Sequence, residues 1–337
     1  MKFFFYKSGN QQLGSNRIYI NNLSSYLIDI DQECIVSEDI KNCIESDICI
    51  LNKFTNLSEI QKVKKLNPKC KIGLVHPSDL QRNFKNKIKY IDFFITGSIE
   101  ERDHYLEYCK NIFRFPQIEK IQPILPNHNN NKEIFKIGYH GNLEHLNEMQ
   151  KNVSKALEDI SKKYNLEFIA VYDMKLGKWT KGRPNIKITE INWTFENMIN
   201  EMSKIDIGIV PCTNNYLFDK HYNDSNFFVN FFKKIYGRTN DYNIQFKVTS
   251  NSGRAFVFHQ LGIPVIADFW PSNFEILDNK SNGFLAHSRN GWYNALEKLI
   301  TSPKQRNDFA QNAQKRFLTN YNPIDWAKLF LNFLKDL

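Results

Sequence analysis

Hydrophobic residues along the chain fall into short consecutive runs separated by longer stretches with helical spacing. The runs are FFFY (3–6), DICIL (47–51), KIGLV (71–75), DFFIT (92–96), FKIGYH (135–140), EFIAVY (167–172), IKIT (186–189), DIGIVP (206–211) and PVIA (264–267). Apolar residues on consecutive positions predict strands buried on both faces, as in a parallel sheet covered by helices. Between the runs, Met149, Val153, Leu157, Ile160 and Tyr164 share one helical face, and so do Phe195, Met198, Ile199 and Met202. Near the end Trp326, Leu329, Phe330, Phe333 and Leu334 repeat the pattern. Ser58-x-x-Gln61 and Ser98-x-x-Glu101 have capping-box spacing and predict helix starts. Strand–helix alternation of this kind specifies an α/β fold with mostly parallel sheets.

The rhythm breaks twice. Pro116, Pro123, Pro126 and the asparagine-rich run at 127–131 interrupt it, and it restarts at Phe135. This predicts an N-terminal Rossmann-like domain over 1–120, a linker over 121–133 and a second Rossmann-like domain over 134–318. A C-terminal helix over 319–337 is expected to pack back toward the N-terminal domain. The aromatic and basic stretch 213–246 reads as an insertion, and loops of that length commonly serve as lids or binding elements.

The net charge of +9 is spread along the chain and forms no dense block, which argues against a nucleic-acid partner. It suits an acidic ligand, or contact with anionic lipid. None of the six cysteines forms a C-x-x-C pair, so no zinc or thioredoxin-like site is expected, and Cys49 reads as a reduced core thiol. Only four apolar residues precede Lys7 at the start, and no run approaches the roughly 18 needed for a membrane span. The expectation is a cytoplasmic protein, at most peripheral to the inner face of a membrane.

The richest stretch for chemistry is FKVTSNSGRAFVFHQLGIPVIADFWPSNFEIL (246–277). Ser250, Asn251 and Ser252 are N-cap residue types, the apolar helix RAFVFHQL follows, and Gly262 ends it before a buried strand. Such a helix start presents free N–H groups and a positive dipole end. The dipole supplies about 0.3–1 kcal/mol for an anion, up to roughly 2 when partly buried. Micromolar binding needs about 8 kcal/mol. Lys247 and Arg254, flanking the same helix start, can add what is missing, since a guanidinium grips a phosphate with two hydrogen bonds. The plainer reading makes both solvated surface charges. Gly138 and Gly141, with Asn142, close a strand before a helix and let backbone approach a phosphate, although a GxxG is often only a turn. Trp193 follows the run IKIT and can stack on a nucleobase or simply seal a helix start. Glu275 can meet a ribose or merely favour a helix dipole. In the first half, Gly9, Gly14, Ser15 and Arg17 follow strand one, and His76 and Asp79 follow KIGLV in the sequence HPSD. His140 and His145 lack metal-ligand spacing and read as structural. Asp29-Ile30-Asp31 is a chance D-x-D match, and no metal is expected.

The ordered series IGYHGN, EFIAVY, IKITEINW…MINEMSKIDIGIVP, K-x-x-S-N-x-x-R, GIPVIA, FEIL and NGFLA resembles the donor domain of family 4 (group 1) GT-B glycosyltransferases. The likeness covers about 135–320 and is fainter over the first half. It implies two Rossmann-like domains with parallel sheets facing a cleft, and a C-terminal crossover helix. It also implies a hexosyltransferase, retaining and metal-independent, that needs no cofactor beyond a UDP- or GDP-sugar co-substrate. The acceptor would be a carbohydrate or lipid-linked molecule, in cell-surface polysaccharide or glycoconjugate synthesis. Carried onto this sequence, Gly14, Gly138, Gly141, Asn142, Trp193, Lys247, Ser250, Asn251, Arg254 and Glu275 would hold the donor. In the resembling families a histidine or aspartate at such a strand end touches the transferred sugar or acceptor, which makes His76 and Asp79 catalytic candidates beside Lys247 and Arg254. The sequence departs from the family in lacking two glutamates seven residues apart across the helix RAFVFHQL. That absence leaves open a non-catalytic GT-B accessory protein binding sugar nucleotide or glycan; a nucleotide-sugar epimerase is the third alternative. No G-x-G-x-x-G stands between a strand and a helix, which disfavours a dinucleotide oxidoreductase.

Overall fold

The computed structural model describes residues 1–10, 12–128, 132–149, 152–211, 251–279 and 281–337. The 213–246 insertion, Lys247 and Ser250 lie outside the described residues. Contacts group the described residues into two units, one of 1–124, 251–261 and 314–337, the other of 125–211 and 262–313.

The first unit holds an all-parallel sheet in the order β2-β1-β3-β4-β5-β6. Its strands are β1 Lys2–Tyr6, β2 Glu33–Ser37, β3 Ile48–Asn52, β4 Lys71–Val75, β5 Phe93–Thr96 and β6 Ile112–Arg114. Alternate side chains of the central strands feed two cores. Phe3, Phe5, Ile50 and Phe93 enter one, together with Phe330 and Leu334 of the C-terminal helix Pro323–Lys335. Phe4, Cys49, Leu51 and Phe94 enter the other. Leu329, on the predicted apolar face of that last helix, is instead exposed. Gly73 sits in register between Ile50 and Phe93, where a methyl group would come within 2.3 Å of the Phe93 ring.

The second unit repeats the plan in the order β12-β11-β10-β7-β8-β9. Its strands are β7 Phe135–Gly141, β8 Leu166–Tyr172, β9 Lys187–Asn192, β10 Ile207–Val210, β11 Val265–Ala267 and β12 Phe284–Leu285. The helix Val153–Ile160 buries Val153, Leu157 and Ile160, and Phe195–Met202 buries Met198 and Met202. The two orders are the two common doubly-wound ones, with topological switch points at β1/β3 and β7/β10.

Three details differ from the sequence reading. The helix Leu57–Leu66 is capped by Asn56, whose side chain accepts from Glu59 N at 2.9 Å while Glu59 accepts from Asn56 N at 2.8 Å; the Ser58/Gln61 spacing is not the box. The proline-rich stretch after β6 has no regular structure, yet Phe115, Ile118, Glu119 and Ile121 are buried in it. It is pinned by the helix Gly253–Gln260, with Gln260 Nε2 donating to Glu119 O at 2.9 Å and Ile124 N donating to Gln260 O at 2.8 Å. That helix therefore groups with the first unit, although the sequence pattern joins it to the second.

The same helix carries an acid-sensitive group. Burial, and secondarily the Arg316 charge, lower the pKa of His259 to about 3. Its folded pKa lies below the ordinary value of about 6.5. Stability is therefore full above pH 6.5 and falls as pH drops toward 3, by up to ~1.4 kcal/mol per unit. In urea melts at pH 7, 5 and 4, His259→Leu should lose less stability on acidification than the wild type; parallel losses would refute this. No helix among the described residues is long and apolar enough to cross a membrane.

Candidate functional site

Parallel sheets deliver loops at their carboxyl ends, and the first sheet gathers several chemistry-bearing residues there. After β1, Ser8 and Gly9 turn with Gly9 at φ 75°. Asn52 fixes this loop, donating to Ser8 O at 2.8 Å and accepting from Ser8 Oγ at 2.9 Å. Asn16 also donates to Ser8 O, at 2.8 Å. Gly14 opens the following helical stretch, where a methyl group would meet only Arg17 Nη2, at 3.9 Å. Arg17 is drawn into a bidentate ion pair with Glu119.

After β4 comes His76, in the left-handed region at φ 49°, uncommon for a residue other than glycine and one that histidine adopts more readily than most. Its Nδ1 lies 2.7 Å from Oε1 of Glu101, which is fully buried, a close contact without hydrogen-bond angles, and the other Glu101 oxygen accepts from Gly97 N at 2.7 Å. Ser98 caps the helix Ile99–Tyr105 as the sequence predicts, accepting from Glu101 N at 3.2 Å, so the cap aims the carboxylate. The Tyr19 ring stacks on the imidazole at 6.5 Å. Tyr19 rides a π-helical turn, Arg17–Asn22, of the kind often found at functional sites. Burial and the Glu101 charge push its hydroxyl well above the usual tyrosine range, and that hydroxyl donates to Phe115 O at 3.3 Å. With Nδ1 buried against Glu101, Nε2 is the nitrogen placed to act on a ligand. Asp79 is placed differently. Its carboxylate meets His104 Nε2 at 2.9 Å and the Tyr105 hydroxyl at 3.5 Å. It serves to hold its own loop.

The helix Gly253–Gln260 reaches this cluster through Gln117. A methyl group on Gly253 would lie 3.2 Å from Gln117 Cβ, and one on Gly97 would lie 3.1 Å from Gln117 Cγ and 2.5 Å from the Tyr19 hydroxyl. Asn251 provides the cap bond, accepting from Gly253 N at 3.0 Å. Ser252 is buried and its hydroxyl has no hydrogen-bond partner among the described residues. Arg254 is half-buried in the first turn. The first unit thus holds His76, Asn251 and Arg254, with Glu101, Tyr19, Gly97 and Gln117, which the sequence does not single out for the site, lying along the contacts between His76 and the helix start.

At the carboxyl ends of the second sheet stand Gly141 at φ 137°, Asn142 and the helix Leu143–Asn147. Gly138 lies earlier, inside β7, where a methyl group would meet Ile205 Cδ1 at 2.4 Å; close packing accounts for that glycine without a ligand. Trp193 follows β9, its N–H bonded to Tyr172 O at 2.9 Å. Glu275 lies late in the helix Pro271–Ile276, which follows β11. Four strand steps separate β9 from β11, about 19 Å at ~4.8 Å each. Only a nucleotide stretched along the sheet edge would touch both Trp193 and Glu275.

No family model matches the sequence, and no curated protein matches it. Solved structures match nearly end to end. A glycosyltransferase from Rickettsia africae aligns at 12% identity and TM-score 0.60, over 99% of this chain and 98% of its own. HepE from Anabaena, solved with UDP and glucose, aligns at 10% identity and TM-score 0.60, over 99% of each chain. The fold is GT-B. TarM aligns at 12% identity and TM-score 0.55 over 85% of this chain, which spans 54% of TarM. The GT-B assignment agrees with the two all-parallel six-stranded sheets and with the architecture implied by the sequence resemblance.

Proposed function

We propose that the chain is a glycosyltransferase that moves a hexose from a nucleoside-diphosphate sugar, UDP- or GDP-linked, to a carbohydrate or lipid-linked acceptor. The observation that carries this reading is His76, at φ 49° beside buried Glu101, with Tyr19, Gly97 and Gln117 leading from it by successive contacts to the start of a helix bearing Arg254. A helix start, a guanidinium and the Ser252 hydroxyl suit the two phosphates of a leaving nucleoside diphosphate. Lys247 and Ser250, outside the described residues, belong to the same sequence motif. Charge grows on the leaving diphosphate in the transition state, where positioned cations and dipoles lower the barrier most. His76 Nε2 would touch the transferred sugar or the incoming hydroxyl. Retention of anomeric configuration and independence from metal come with the family resemblance and belong to this proposal, as does a place in surface-glycan synthesis.

The absent glutamate pair favours a second reading, an accessory protein that binds sugar nucleotide or glycan without turnover. Nucleotide release from UDP-, GDP- and ADP-sugars, with and without glycan acceptors, separates the two. Acceptor-stimulated release of one nucleotide supports the transferase. Binding of a sugar nucleotide without release supports the accessory protein, and conversion of the donor with no acceptor would point to an epimerase.

A further inference from the structure

The carboxyl edge of the first sheet offers a second place for an anion, on the opposite side of His76 from the Gly253 helix. That helix start approaches the loops after β5 and β6. Lys53 follows β3, at the switch point where the strand order turns from β1 to β3. Its course is fixed by Asn52, which accepts from Phe54 N at 2.8 Å. Lys87 closes the short helix Phe84–Lys87 and is 7% exposed. Its ammonium donates to Lys53 O at 3.4 Å and to Gln81 Oε1 at 3.2 Å, both uncharged acceptors. The Lys53 ammonium lies 5.4 Å from the centre of the Phe54 ring. Neither lysine has a carboxylate within ion-pair distance among the described residues. Glu101 acts on Lys53, and Glu59 on Lys87, only as more distant charges.

Two partly buried cations with no carboxylate in direct contact, and only a more distant one each, are costly in a purely structural role, and proteins normally pair such charges closely. Burial pushes both amines below the usual lysine range, so an arriving anion would relieve both. The edge therefore has one anion-seeking end at Arg254, one at Lys53 and Lys87, and His76 between them. The leaving diphosphate accounts for only the first.

We propose that Lys53 and Lys87 form a subsite for an anionic group on the acceptor, making the acceptor a phosphorylated or carboxylated sugar and not a neutral one. The proposal rests on the sugar-transfer reading for the word acceptor; the anion site itself does not.

Calorimetric titration of the full chain with hexose 6-phosphates, hexuronates and the parent hexoses tests it. At least one anionic sugar should bind at least 10-fold more tightly than its neutral parent, and whether phosphate or carboxylate does so identifies the group. Lys53→Gln should remove that preference, Lys53→Arg should retain most of it, and Arg254→Ala should leave it in place. Lys87→Met should act like Lys53→Gln if circular dichroism shows it folded; if it is not, the more accessible Lys53 pair decides alone. Equal binding of charged and neutral sugars, or a Lys53→Gln protein that keeps the preference, overturns the subsite. Failure of the donor reading looks different: no nucleotide would bind, while the lysine-dependent anion preference persisted.

Discussion

His76→Ala is expected to lower turnover of the nucleotide sugar by at least about 100-fold while nucleotide affinity stays within a few-fold of wild type. A positioned acid–base group contributes roughly 10²–10⁴ in rate. The backbone at φ 49° and the buried Glu101 behind Nδ1 show how firmly this imidazole is held. The donor phosphates, on this account, bind at the Gly253 helix, so the loss should fall on kcat and not on nucleotide binding. Glu101→Gln keeps the size of the side chain and weakens the hold on the ring. It should cost roughly 10-fold in kcat, less than removal of the ring itself, because a positioning residue acts through the group it orients. Steady-state kinetics with whichever sugar nucleotide the release assay selects, with melting curves to confirm folding, measure both. A His76→Ala enzyme within threefold of wild type would remove His76 from the chemistry.

Gly73→Ala should destabilise the first unit by about 3 kcal/mol, at the upper end of ordinary overpacking. The added methyl would lie 2.3 and 2.4 Å from the Phe93 ring and 3.1 Å from Ile50 Cδ1. Phe93 is fully buried and wedged against Phe330 at 6.0 Å and Phe333 at 5.8 Å, so the ring has nowhere to go. Gly138→Ala meets Ile205 Cδ1 at 2.4 Å, Ile205 Cγ2 at 2.9 Å and Met202 Sδ at 3.1 Å, aliphatic and thioether atoms that yield more readily than a ring wedged by other rings, and should cost less. Urea unfolding of the two variants gives the comparison. Because β4 ends at Val75, a shift at Gly73 should also disturb His76, and activity should fall faster than stability alone predicts.

What the sequence revealed follows the physics of burial. Strands covered on both faces announce themselves as apolar runs, and KIGLV becomes β4 residue for residue. The strands β2, β6 and β12 gave no such signal because they are short or lie at sheet edges; Ile35 and Val36 of β2 are exposed. Ser98 was legible as a cap, but the partner of its Glu101 was not, since His76 is 25 residues away in sequence and meets it only through the sheet. Lys53 and Gly97 had a usable signal: each stands just past a predicted strand, where parallel sheets place their ligands. Gly138 misleads for the opposite reason, because a glycine that admits a phosphate and one that admits an isoleucine look alike in sequence.

The central claim is that a nucleoside diphosphate binds at the start of the Gly253–Gln260 helix. A thermal-shift screen of the full chain against UDP, GDP, ADP, CMP and the matching sugar nucleotides, with Arg254→Ala alongside, tests it most directly. A ligand at 100 times its Kd adds about 2.7 kcal/mol of stability. One diphosphate nucleotide should raise the melting temperature of the wild type, and Arg254→Ala should abolish the rise. No response to any nucleotide at millimolar concentration, or an equal rise in Arg254→Ala, would contradict it.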